Sequence, residues 1–361
     1  MSERVLITGR GVLSPIGCDW PSFAAAVRAR RAASPVALPG STAEDPPLCH
    51  PISDRSIFAN EGAKREDEPL TMLAIAAAGQ ALREAGITAD GAPLDGVGLV
   101  MSTALGPSGA VESYLENLAR RGPRGARPAA FVDTLLSMAA SRVGIALRLR
   151  GSTAVLGGSS AFELASDWVR AGREAAVVAG AGDCLSPKCA RYHRALAQRS
   201  GAPRAPLGQG AGFLVLESAA HAAERGARAF GEVLGAGAAS EPQDVSLPWA
   251  ADPEGCAFAA AMAGALAEAG LGPEAAGLVV LAAGDDASER GELAAVRALL
   301  GREPALLRPK RLLGEALGAG AGLSLLAALA ELESAQEPAV ALVNAFELGG
   351  AITSLVLRVP A

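Results

Sequence analysis

Ala81-Leu-Arg-Glu-Ala-Gly86 recurs as Ala265-Leu-Ala-Glu-Ala-Gly270, 184 residues further along the chain. Each copy closes an Ala-rich helical stretch and places Gly just past the last turn, where a left-handed C-cap is wanted. Each is followed by a short polar link and an apolar run, Gly98-Leu-Val-Met-Ser and Gly277-Leu-Val-Val-Leu. Uninterrupted apolar runs of that length read as buried strands. Other pairs keep the same order. Arg4-Val-Leu-Ile-Thr-Gly-Arg-Gly-Val and Phe230-Gly-Glu-Val-Leu-Gly-Ala-Gly-Ala each read as a strand breaking into glycines. A helix over Ala161 to Ala171 leads into Ala175-Ala-Val-Val-Ala-Gly, and one over Leu323 to Leu332 leads into Ala339-Val-Ala-Leu-Val-Asn. The chain is therefore a duplicated α/β protein. Alternation of this kind predicts a mainly parallel sheet covered by helices. The halves are 1–228 and 229–361, packed with pseudo-twofold symmetry. Pro35 to Arg65 and Gly237 to Pro253 read as long surface loops.

Bulk properties narrow the function. Half of the 361 residues are hydrophobic, enough for a large core, and the excess is Ala, Val, Leu and Gly. The net charge of −6 and the lack of a long Lys/Arg block argue against nucleic acid. Arg28, Arg30 and Arg31, and Arg120, Arg121, Arg124 and Arg127, form short basic clusters. Such clusters are mostly solvated faces; the sharper reading is a dock for an acidic carrier protein. Mean hydropathy is positive. The longest apolar run, Leu317 to Ala330, is nevertheless shorter than the roughly 20 residues that span a bilayer, so no membrane partner is expected. The start of the chain reads as a strand rather than a signal peptide. Five cysteines without repeated CxxC spacing fit reduced thiols in a cytoplasmic protein. No cofactor or metal is expected.

Several segments resemble the β-ketoacyl synthase family, in the right order and over nearly the whole chain. They are Val5-Leu-Ile-Thr-Gly-Arg-Gly-Val-Leu-Ser-Pro-Ile-Gly17, Ser137-Met-Ala-Ala-Ser-Arg-Val-Gly-Ile145, Gly208-Gln-Gly-Ala-Gly-Phe-Leu-Val-Leu-Glu217, Asp252-Pro-Glu-Gly255 and Asn344-Ala-Phe-Glu-Leu-Gly-Gly350. The resemblance implies a thiolase-like fold, two α/β halves layered αβαβα. It also implies a cysteine nucleophile at a strand-to-helix turn, helped by the following helix N-terminus. Two histidines and a lysine complete the family's site.

Those groups are largely missing. The nucleophile segment is Ser152-Thr-Ala-Val-Leu-Gly-Gly-Ser-Ser-Ala161. Counting back from Gly172 puts Val155 at the cysteine position; counting forward from Gly151 puts Ser160 there. The anchors disagree by five residues, and the count from the helix is preferred because loops shorten more easily than helices. Ala283 takes the first histidine's place and Glu315 the second's, while the lysine is kept as Lys310. Glu347-Leu348 replaces the usual Phe-Gly-Gly gate. His50, His193 and His221 fall in none of these motifs and read as surface or loop residues.

Joint loss of three groups resembles the chain length factor, the non-catalytic partner of an active ketosynthase in type II polyketide synthases. That resemblance implies a heterodimer whose acyl tunnel ends at this subunit, with acyl carrier protein engaged mainly through the partner. Many such factors have Gln at the lost cysteine position, linked in related domains to malonyl decarboxylation, and Val155 departs from that. Leu105, Ser108, Val111 and Leu115 would face the tunnel from one segment, and Ala129, Ala130 and Thr134 from another. Small residues there suggest room for an extended or polyunsaturated product, against a bland reading as packing in an Ala-rich protein. Met138, Arg142, Val155 and Leu156 would lie at the subunit interface. Two other readings stand beside this one: a serine-dependent acyl hydrolase or thioesterase using Ser159 or Ser160, and a homodimeric degenerate synthase that binds acyl chains. Gly318-Ala-Gly-Ala-Gly322 lacks the spacing and preceding strand of a dinucleotide fingerprint and reads as close helix packing.

Overall fold

The structure, a computed structural model, describes residues 3–38, 46–52, 68–89, 91–200, 205–241, 252–284, 286–335, 339–347 and 349–360. The first half contains β1 (Val5–Leu13), α1 (Trp20–Arg28), β2 (Val36–Ala37), β3 (Leu48–His50), α2 (Pro69–Glu84), β4 (Val97–Thr103), α3 (Ser108–Arg121), α4 (Pro128–Val132) and α5 (Met138–Ala146). It continues through β5 (Thr153–Gly157), α6 (Ala161–Arg170), β6 (Ala176–Asp183), α7 (Pro187–Ser200), β7 (Leu207–Gly208), β8 (Gly210–Ser218) and α8 (Ala219–Glu224). The second half runs β9 (Gly231–Ser240), α9 (Cys256–Ala269), β10 (Ala276–Val280), α10 (Asp286–Leu300), β11 (Ala305–Leu307), α11 (Pro309–Leu313), α12 (Ala319–Leu332), β12 (Val340–Phe346) and β13 (Ala351–Arg358).

Ten of these strands form one sheet in the order β11-β10-β12-β13-β9-β1-β8-β6-β4-β5. The order is a mirror of itself about the β9–β1 pair, which is antiparallel at Val5–Val233, Leu6–Glu232 and Ile7–Gly231. In each half two neighbouring pairs are parallel (β6–β4 and β4–β5; β12–β10 and β10–β11) and two are antiparallel (β1–β8 and β8–β6; β9–β13 and β13–β12). The expected mainly parallel sheet is thus a mixed one. β8 follows α7 and the short β7 yet runs antiparallel to both β1 and β6, and β13 enters without the helical crossover that parallel pairing requires. β13 returns directly from β12 through the turn after Phe346.

The layers follow from which faces are apolar. Phe162, Ala165 and Val169 of α6 share one core with Leu325, Leu326 and Leu329 of α12, and strands of both halves contribute Val100, Leu214, Leu278 and Leu355. α12 is buried on nearly all sides, as its uniformly apolar sequence requires. Outside the first half, α2 and α5 pack Leu73, Ala77, Ala139 and Val143 on Leu99, Val178 and Phe213. Outside the second, α9 and α10 pack Phe258, Met262 and Val296 on Val279, Leu342 and Val356. The result is the layered αβαβα arrangement.

Both repeats end as read: Gly86 has φ +68° and Gly270 φ +66°. The glycine run before Leu323 is close packing. Gly322 of α12 lies against the backbone of Gly212 in β8, and a Cβ on either would collide with the other. The loop reading of Gly237 to Pro253 needs correction at its start, because β9 continues to Ser240 on paired backbone from β13; 242–251 lie outside the described residues. Within Pro35 to Arg65, β2 and β3 form a small sheet with β7, while 39–45 and 53–67 are outside the described residues.

Candidate functional site

The fold brings the scattered sequence positions to one place. Ser159, Ala282, Lys310, Asn344 and Glu347 line a single void near the carboxyl ends of β5, β10 and β12. Gly284 packs against both Lys310 and Glu315, so the segment holding Ala283 faces the same two residues. Leu348 and Asp285 lie outside the described residues.

The turn at the cysteine position differs from the expectation. Val155 sits mid-strand in β5, opposite Met101 of β4, and packs into the outer core with α2 and α5. The strand-to-helix turn is Gly157 to Ser160, and Ser160 is the N-cap residue of α6. The count forward from Gly151 therefore describes the turn. The helix that follows, α6, has 10 residues.

Hydroxyls and carboxylates fill the turn. The Ser159 hydroxyl lies 3.3 Å from Thr353 Oγ1 and close enough to Glu347 to offset part of that carboxyl's rise. Ser160 stands beside Glu163 and offsets part of that carboxyl's rise. Burial pushes Glu163 up to about 7, and neighbouring Asp167, Glu347 and Glu268 add to the rise. Burial also raises Glu347. One oxygen of each carboxylate is buried without a hydrogen-bond partner.

Lys310 Nζ lies 2.7 Å from Glu315 Oε2 with both side chains 12% exposed. The other oxygen, Oε1, accepts the Leu317 N–H at 3.0 Å, which holds Leu317 at φ +50°. The residue at the second histidine's place is thus a buried counter-ion for the retained lysine. Ala283 is buried, and its N–H donates to Glu292 Oε2 while Ala282 N–H donates to Oε1, both at 2.9 Å. Asn344 Nδ2 donates to Glu292 at 2.8 Å. What remains open is about 10 Å³, the size of one water.

Sequence reasoning missed Glu292 and Asp183. Burial pushes Glu292 up to about 7 and Asp183 up to about 6. Asp183 accepts from Thr103 Oγ1, Ala104 N, Leu105 N and Gly318 N, tying the start of α3 to the start of α12. The available signal was a lone acid at the end of an apolar strand, Ala176-Val-Val-Ala-Gly-Ala-Gly-Asp183. The histidine reading is corrected for two of three. His50 and His193 are 6% and 7% exposed; His50 is wedged against Gly314, and its Nδ1 is buried without a partner. His221 lies 2.6 Å from Glu217 on α8.

The residues expected to line a tunnel lie on α3, α4 and their flanks. Leu105 is fixed by its N–H to Asp183 at 3.2 Å. Ser108, Val111, Ala130 and Thr134 are half-buried, while Leu115 and Ala129 are exposed. Ala130 lines a hollow of about 220 Å³ with Ala110, Ser113 and Tyr114. Met138 is half-buried at the start of α5, and Arg142 pairs with Asp133 at 3.5 Å. Leu156 packs into the central core. Leu115, Phe131, Val132, Leu135, Leu136 and Ile145 are large exposed apolar side chains in this one region. β5 is the sheet's edge strand, and a groove of about 710 Å³ beside it is lined by Ala140, Ser141, Gly144, Ile145 and Thr153. No helix among the described residues is long and apolar enough to cross a membrane. All five cysteines are free thiols, and none stands in the turn.

Comparison with known proteins gives a consistent set. Residues 2–222 match the model of the β-ketoacyl synthase N-terminal domain. Nodulation protein E of Rhizobium sp. (strain N33) is 28% identical over 94% of this chain and 89% of its own length. The 3-oxoacyl-[acyl-carrier-protein] synthase 2 of Rhizobium meliloti (strain 1021) is 27% identical over 99% of each chain. Among solved structures, the ishigamide ketosynthase/chain length factor superposes with a TM-score of 0.86 at 23% identity, over 100% of both chains. A type II polyketide ketosynthase solved with its acyl carrier protein (AntDE:AntF) gives 0.86 at 19%, also over 100% of both.

Proposed function

Because this chain belongs to the β-ketoacyl synthase family, we propose that it acts as a non-catalytic, chain-length-factor-like subunit. It pairs with an active ketosynthase and shapes the acyl tunnel during carrier-protein-dependent elongation. The observation that carries this is the site itself. The turn at the nucleophile's place holds Gly157, Gly158, Ser159 and Ser160, alanine stands at one histidine's place and Glu315 at the other, and the residual void admits about one water. Condensation needs a thiolate to take the acyl group and a donor set for the enolate. Here the lysine that could serve is already neutralised by Glu315.

The relatives named as synthases set the opposing expectation, that this chain condenses by itself. Two further features favour a partnered role. Exposed apolar side chains on α3 to α5 adjoin the free edge of β5, and apolar patches of this kind mark protein interfaces. On that reading Met138, Arg142, Val155 and Leu156 lie at or beside the interface, and the chain works in the cytoplasm. Arg120, Arg121, Arg124 and Arg127 continue into Lys188 and Arg191 of α7 around Glu116, a basic face that suits an acidic carrier protein.

The test is reconstitution. The purified chain with malonyl and acyl carrier proteins should neither condense nor decarboxylate. Adding a cognate ketosynthase should give a one-to-one complex that elongates, and product length should respond to this chain. Condensation by the chain alone overturns the proposal. Ser160 at the α6 N-terminus keeps a serine hydrolase as the second reading. Against it, no histidine lines the void. Stoichiometric labelling by a fluorophosphonate, lost in Ser160→Ala, would favour that reading instead.

A further inference from the structure

We propose that Glu347 is a plug that shuts this subunit's own acyl site against an acyl thioester. The inference rests on the non-catalytic reading above and adds the residue that enforces it. Glu347 follows β12, and its backbone is held by a tight turn: its N–H donates to Ala351 O at 2.9 Å, and Gly350 N–H donates to its carbonyl at 3.1 Å. The side chain therefore leaves a fixed point. It lays its carboxylate directly over the Cα of Gly158, so closely that any Cβ at 158 would collide with both oxygens. Gly158 has φ +110°, a conformation that only glycine adopts readily. The turn at the nucleophile's place and the residue that covers it are thus matched in shape.

The rest of the lining shows what the plug withholds. Ala282, Gly320, Ala321, Ser324 and Ala345 are small, and Lys310 is drawn aside to Glu315. Glu347 is the carboxylate that fills the void itself, and only about 10 Å³ is left beside it. A carboxylate is a costly filler. Burial raises it, Glu163 stands nearby as a second raised carboxylate, and one oxygen of each lacks a partner. An aliphatic side chain would pack the same volume without stranding a polar atom. An acyl thioester reaching this turn meets instead a polar group whose backbone is braced by its bonds to Ala351 and Gly350.

The experiment measures binding of a neutral probe, the octanoyl thioester of N-acetylcysteamine, by saturation-transfer NMR and by shift in melting temperature. Wild type and Glu347→Gln, which keeps the filled volume, should show no saturable binding up to the probe's solubility. Glu347→Gly should bind saturably, at least tenfold more tightly than any residual wild-type signal. Gly158→Ala, which displaces the carboxylate from the other side, should move the same way. The proposal is overturned if wild type binds as well as Glu347→Gly, or if neither opening variant binds while its circular dichroism and melting remain those of a folded chain. Should one variant fail to fold, the other decides. Condensation by the wild-type chain would defeat the non-catalytic reading on its own, leaving the plug to be judged by binding alone.

Discussion

Glu315→Ala should destabilise the chain by about 3–5 kcal/mol, the usual effect of removing one partner of a buried ion pair. The magnitude follows from the surroundings. Lys310 and Glu315 are 2.7 Å apart and 12% exposed, so the stranded ammonium cannot recover bulk hydration in place. The same substitution removes the acceptor for Leu317 N–H, which adds about 1 kcal/mol and frees a residue held at positive φ. Lys310→Met alone also strands a charge, this time the carboxylate. The double variant strands neither, and should cost less than the two single variants added together by about 1–3 kcal/mol. Urea unfolding of the four proteins at pH 7.5, with unchanged m-values, measures each corner of the cycle. Adding 1 M NaCl should leave the coupling nearly intact, because a buried pair is weakly screened. The reasoning is refuted if Glu315→Ala costs less than about 1 kcal/mol or if the two substitutions simply add. Either result would mean that solvent reaches Lys310 and that the site is open.

Other residues give independent tests. Asp183 titrates at about 6 in the folded chain against 3.8 ordinarily, so the folded state holds its proton more tightly. Its contribution is fully present below pH 3.8 and lost as pH rises through 6, about 3 kcal/mol in all. Urea unfolding of wild type and Asp183→Asn from pH 4 to 8 should diverge by that amount, and parallel curves would show that the carboxyl is solvated. Ile145→Glu places a charge on the exposed apolar face of α5 and should abolish partner binding in analytical ultracentrifugation while leaving the melting temperature within a few degrees. An intact complex would move the interface elsewhere. Ala130→Phe fills the hollow between α3 and α4 and should shorten the product of a reconstituted pair by at least one two-carbon unit, read by mass spectrometry. Unchanged length would remove that hollow from the tunnel.

The duplication was legible because both repeat helices stop on glycines in the left-handed conformation, and a C-cap is a local signal. The central helix α12 was legible as an apolar run too short for a bilayer. The antiparallel strands β8 and β13 were not, because strand direction depends on the connection that follows rather than on the strand's own residues. Positions Lys310, Glu315 and Ala283 could be placed by their motifs, and the fold does bring those segments together. The turn failed for a physical reason. The count from Gly172 assumed a fixed distance to the turn, whereas the β4–β5 register, Met101 opposite Val155, holds that residue inside the strand and Ser160 caps α6. Backbone pairing on one flank constrained the strand, whereas a helix terminus can move along its own axis.

The buried acids explain how a site can be emptied while its frame persists. Asp183 holds the N–H groups of Ala104, Leu105 and Gly318. Glu292 holds those of Ala282 and Ala283, and Glu315 holds that of Leu317. All three therefore fasten loop backbone at the carboxyl ends of the strands. Burial raises Asp183 and Glu292 well above the ordinary carboxylate range, so each keeps its place through hydrogen bonds made against a desolvation penalty. The loops after β4 and β10 and the start of α12 are thus positioned by Asp183 and Glu292, which stand at none of the expected nucleophile or histidine places. Valine in β5, serine at the turn and alanine after β10 leave every one of those backbone bonds in place. Asp183 and Glu292 therefore keep those loops in place whichever side chain stands at the turn or after β10.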